Sequence, residues 1–133
     1  MFLNVLNNEE KNLFLDLAVY VSKANGLIEE SEQSIIAQYC QEMCVDDYDM
    51  SNQHSMDEIK AVFSNSSENS KRIAVFELLG LGYTDGSLDE LENSIVKDFA
   101  NGIGISEELF NKLNRDIKEY TTILGIIQEH LFD

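Results

Sequence analysis

The chain has 133 residues with 9 basic and 25 acidic side chains, a formal charge of −16, no proline and two cysteines. So negative a surface repels phosphate backbones and anionic lipid, which argues against nucleic acid or a membrane surface as partner and leaves basic proteins or divalent cations. No run approaches the roughly 18 apolar residues that span a bilayer, the first six residues lack the features of a secretion signal, and Cys40 and Cys44 fit neither a disulfide framework nor a zinc knuckle, so a cytoplasmic protein is expected.

One domain, residues 1–133, is the simplest expectation at this length. Asn7 can cap the first helix, with Glu10 at the reciprocal capping-box position. Leu13, Phe14, Leu17, Ala18, Val21 and Ala24 follow at helical spacing, and Asn25-Gly26 can close the helix in the left-handed conformation. A second helix over about 30–43 carries Ile35, Ile36, Tyr39, Cys40 and Met43 on one face, with Cys40 and Cys44 expected as core thiols. Residues 44–54 read as a solvated acidic loop containing Asp46, Asp47 and Asp49. Ser55 and Glu58 mark a second capping box, opening a short helix to about Phe63, and Ser64 to Ser70 form a polar connector.

From about 68 to 84 runs the most apolar helix, which should be buried on most sides and therefore central. Gly80 and Gly82 each weaken it by roughly 1 kcal/mol relative to alanine, a cost that close approach of a neighbouring helix would offset. Glu77 is its one charge after Arg72 and is expected on a narrow solvated strip. Asp85-Gly86 ends this helix. Asp89 then caps the next, about 90–101, with Glu92 as capping-box partner. After the break at Gly102 to Gly104, Ser106 caps a last helix over about 107–131. Its Leu113, Ile117, Tyr120, Leu124, Ile127 and Leu131 alternate steps of four and three and form one stripe. His54 and His130 have no companion pattern.

Residues 25–39 return at 85–99 without a gap, with Gly26/Gly86, Glu30/Glu90, Glu32/Glu92, Ser34/Ser94 and Ile35/Ile95 identical. Such repetition signals one supersecondary unit used twice around a shared core. The predicted fold is all-α with about seven helices: two pseudo-symmetric helix–acidic turn–helix copies, about 8–44 and 68–104, surround the central apolar helix. The turns are not EF-hands. With Gly26 or Gly86 at loop position 6, ligand positions 1 and 3 fall on Val21 and Lys23, or on Leu81 and Tyr83, which are not the oxygen ligands required.

The doubled pattern runs from Lys23 through Ala-Asn-Gly-Leu-Ile-Glu-Glu-Ser to Glu32, and again from Gly82 through Tyr-Thr-Asp-Gly-Ser-Leu-Asp-Glu-Leu to Glu92. With the closing segment Ile95 to Phe110, it resembles the TerB-like family, the small helical domain of tellurite-resistance operons and of certain DnaJ-like membrane co-chaperones. The resemblance covers about residues 8–113. It implies acidic clusters that attract metal ions, and work in metal or phage stress and in multiprotein assemblies. Carried over by position, it marks Asp85 and Glu92 as the motif acids of the second copy and Glu32 as that of the first; Asn25 stands where the family usually has Asp.

The candidate metal ligands are thus Asp85, Asp89 and Glu92 at one turn, and Asn25, Glu29 and Glu32 at the other, for a divalent cation such as calcium. Helix capping and the helix dipole, worth about 0.3–1 kcal/mol per acid, account for Asp89 and Glu92 without a metal, but not for the surplus acids Glu29, Glu30 and Glu90. No Ser-His-acid or Cys-His arrangement, phosphate-cradling glycine loop or HExxH motif occurs, so a non-enzyme is expected. Three functions remain: a cation-binding stress-response module, an interaction module docking a protein with a basic surface, and, behind these, a DNA mimic.

Overall fold

Among the described residues a short 3-10 turn, Leu3–Val5, leads into six α-helices: α1 (Asn8–Ser22), α2 (Glu30–Met43), α3 (Met56–Ser64), α4 (Glu68–Gly82), α5 (Glu90–Gly102) and α6 (Glu107–Phe132). The computed structural model describes residues 1–24, 30–51, 53–83 and 89–132, apart from the side chains of residues 31 and 32. No strand occurs among them. The expected hinges at Gly26 and Gly86, and the candidate ligands Asn25, Glu29, Asp85 and the Glu32 side chain, lie outside the described residues.

Local chemistry sets the helix ends. Asn7 Oδ1 accepts the Glu10 amide while Glu10 Oε1 accepts the Asn7 amide, both at 2.9 Å, completing the capping box that starts α1. Ser55, Ser67, Asp89 and Ser106 each accept the amide three residues on, at the starts of α3, α4, α5 and α6. Among the described residues two helices end in Schellman turns. After α5 the Ile105 amide donates to the Ala100 carbonyl and the Gly104 amide to the Asn101 carbonyl, with Gly104 at φ +90°. After α2 the Val45 amide donates to Cys40 and the Cys44 amide to Gln41, with Cys44 at φ 58°. Cys44 is therefore an exposed cap residue and not the core thiol expected, while Cys40 is half-buried.

Two helices share the centre, where the sequence pointed to one. α4 touches α1, α3, α5, α6 and the amino-terminal turn, while α1 touches α2, α3, α4 and α5. Leu13, Phe14, Leu15, Leu17, Ala18, Val19 and Val21 of α1 are all buried, as are Ala74, Val75, Leu78, Leu79 and Leu81 of α4. The reason is that α1 is apolar almost all round from Leu13 to Val21, the same property that singled out α4. Phe14 meets Tyr39 of α2 edge-on with centroids 5.2 Å apart, and Phe63 of α3 meets Phe99 of α5 at 5.5 Å.

Gly80 faces α6, but a methyl group there would lie 3.5 Å from Ile117 Cδ1, an ordinary contact. The close approach expected at Gly80 is absent. Gly102 is tighter than Gly80, since an added carbon there would come within 2.9 Å of Lys60 Cδ on α3. α6 packs on α4 and α5 through Leu109, Phe110, Leu113 and Ile117. Beyond Ile117 it leaves the body, so the second half of the predicted stripe, from Tyr120 to Leu131, is exposed and not core.

Candidate functional site

α5 is capped at its start by Asp89. Asp89 is extended, with φ −75° and ψ 163°, and its Oδ1 accepts the Glu92 amide at 2.8 Å. The cap orders the first turn, where the helix dipole favours the negative charges of Asp89, Glu90 and Glu92. Glu92 is only 7% exposed because helical spacing puts it on the face of Val96 and Phe99. Of the six candidate ligands, Asp89 and Glu92 are thus brought together in one turn. Among the described residues no group of three His, Cys, Asp or Glu side chains is arranged to hold a metal ion.

Other carboxylates gather where the sequence did not place them. Glu77 is 6% exposed rather than on a solvated strip. It accepts the Phe2 amide at 2.7 Å and lies 2.9 Å from the Met1 amino group, while Glu42 accepts the Leu3 amide at 2.9 Å and the Met1 amino group at 2.7 Å. Burial of that amine acts to lower its pKa, but the bonds to Glu42 and Glu77 outweigh it and the pKa is raised. Tyr39 donates to the Glu77 carbonyl, and burial, followed by the charges of Glu77 and Glu42, pushes its phenol well above the usual range.

The second gathering centres on Asp16, a residue that sequence reasoning passed over. Its carboxylate is 2% exposed. Oδ2 accepts the His54 amide at 3.0 Å and lies 2.9 Å from His54 Nδ1; Oδ1 accepts the Tyr48 hydroxyl at 2.8 Å. Tyr20 donates to the His54 carbonyl. The bond to Asp16 raises the His54 pKa against the opposing effect of burial, helped by the charges of Asp16, Glu58 and Glu9. His54, expected without a companion, has one after all. The sequence signal was an acid inside the apolar run Leu13 to Val21, the same signal that marked Glu77.

A carboxylate orienting an imidazole is half of a nucleophilic triad. Here, among the described residues, the hydrogen bonds of His54 run to Asp16 and Tyr20, with no hydroxyl or thiol nucleophile on the ring. The pair clasps the loop before α3 onto α1. Around the ring lie two adjoining concavities of about 460 and 230 Å³, lined by Glu9, Asn12, Glu58, Asp47 and Asp49 and, among the described residues, by no Lys or Arg. Glu9, Asp47, Asp49 and Glu58 all face solvent. A further concavity of about 680 Å³ is bordered by Asn7, Glu10, Ser67 and Ser70, whose polar atoms are already engaged in capping.

No described helix is long and apolar enough to cross a membrane. Compared with known proteins, the chain matches no family model, no curated protein and no solved structure. Its function rests on its own chemistry.

Proposed function

We propose that this chain is a non-enzymatic acidic interaction module, which docks a protein partner with a basic surface at the carboxylate rim around His54. Charge supports this most directly: Glu9, Asp47, Asp49 and Glu58 surround two adjoining concavities that no described lysine or arginine lines. Such a rim steers and orients a cationic side chain, and its attraction weakens as salt rises. The test compares recovery of a partner from native lysate by wild type and by Glu9→Lys/Asp47→Lys/Glu58→Lys. The partner should be lost from the variant and released by salt. Equal recovery by both ends the proposal.

The module is read as TerB-like, with two related halves, and register supports the duplication. α1 and α4 begin at residues 8 and 68 and end at 22 and 82, an offset of 60 at both ends. The caps follow the same offset, Asn7 with Ser67, and so do the left-handed residues Cys44 and Gly104 with their paired Schellman bonds. None of these positions lies in the stretch whose identities first suggested the repeat.

A divalent cation at the second turn is a further reading, favoured by Asp89 and the nearly buried Glu92 sharing the first turn of α5. Submillimolar calcium or another divalent ion should then raise the melting temperature, and Asp85→Ala with Glu92→Ala should remove the rise. No shift with any common divalent ion excludes it.

A further inference from the structure

Beyond Ile117, α6 continues for fifteen residues, 118–132, about 22 Å of helix, clear of the body. Tyr120, Ile123, Leu124, Ile127 and Leu131 lie on one side of it, between 38% and 68% exposed. This face is a direct continuation of the one that Leu113 and Ile117 pack against the body. Ile117, Leu124 and Leu131 alternate with Tyr120 and Ile127 at the seven-residue spacing of a two-helix seam. The flanking Thr121 and Gln128 are uncharged.

We propose that the outer half of α6 pairs, antiparallel, with the same segment of a second copy of this chain. Three observations select that occupant. A helical seam of this spacing is self-complementary, since a knob of one helix fits the holes of another like it. Charge has been kept off it: Tyr120, Ile123, Leu124, Ile127 and Leu131 carry none, and Lys118, Glu119 and Glu129 fall between the seam positions. Area is sufficient too. The five side chains expose on the order of 500 Å² per copy, so pairing removes about 1,000 Å², the lower bound for a specific interface. The orientation follows from the acidic bodies. Parallel helices would hold them side by side, while antiparallel ones keep them at opposite ends of about 20 Å of helix, more than two Debye lengths at physiological salt.

Sedimentation of the full chain from about 5 to 200 µM should show a dimer growing in with concentration, at the weak end of association to which so small an interface belongs. Raising sodium chloride from about 0.05 to 0.5 M should tighten it, because screening relieves repulsion between the bodies. Leu124→Glu with Ile127→Glu should stay monomeric while its circular dichroism and denaturation match those of wild type at concentrations where wild type is also monomeric. A spin label at Lys118→Cys, with Cys40 and Cys44 replaced by Ser, should report a separation of roughly 20 Å or more in the dimer. A wild-type chain that remains monomeric throughout overturns the proposal, whether or not it then binds neutral-lipid vesicles. So does a dimer that survives the double substitution, and label pairs in close contact overturn the antiparallel arrangement.

Discussion

Cys44 sits with φ 58° at the end of α2, where a side chain costs about 1–2 kcal/mol that glycine does not incur. Gly104 occupies the corresponding place after α5. Cys44→Gly should therefore stabilise the fold by about 0.5–1 kcal/mol in urea denaturation, once the looser unfolded chain is set against the relieved strain. His54 supplies a pH dependence with a definite sign. Its folded pKa lies above the ordinary 6.5, so its contribution is complete below that value and is lost as pH rises through the folded pKa. Stability measured between about pH 6 and 8 should fall, and His54→Asn should flatten that part of the profile. The caps Asn7, Ser55, Asp89 and Ser106 were legible in the sequence because each bond spans three residues. Glu77 and Asp16 were not, because their partners Phe2 and His54 are 75 and 38 positions away.

Helices themselves were easier to read than their surroundings. The predicted spans 30–43 and 90–101 correspond to Glu30–Met43 and Glu90–Gly102. Periodicity also gave the correct face of α6, since it reports which side is apolar. It carries no information on how far the body extends beneath that side, and the body stops at Ile117. Similarly, the apolar surround of α4 was read as centrality while the equal claim of α1 was missed, although both helices open on five polar residues and then run apolar around one buried acid, Asp16 in α1 and Glu77 in α4. Gly80 is a vacancy on the α4–α6 contact rather than a requirement of it. Gly80→Ala should raise stability by about 1 kcal/mol, the difference in helix propensity, since the new methyl meets Ile117 at 3.5 Å. A melting temperature below wild type would show that the helices are closer than this spacing.

At the scale of the molecule, a charge of −16 opposes compaction, and some of it is concentrated by the fold. Sodium chloride alone should raise the melting temperature, so a rise with divalent ions counts toward a bound cation only beyond that of monovalent salt at equal ionic strength. The candidate site was less legible than the fold. The candidate ligands were chosen along the chain, within single turns, whereas the rim around His54 draws Glu9 from α1, Asp47 and Asp49 from a loop, and Glu58 from α3. One consequence of the clasp on Asp16 concerns motion. A single carboxylate receives both Tyr48 and His54, so neither can let go without unsettling the other. The His54 amide should therefore exchange with deuterium faster once the Tyr48 hydroxyl is removed in Tyr48→Phe, and Asp16→Asn should speed it as well.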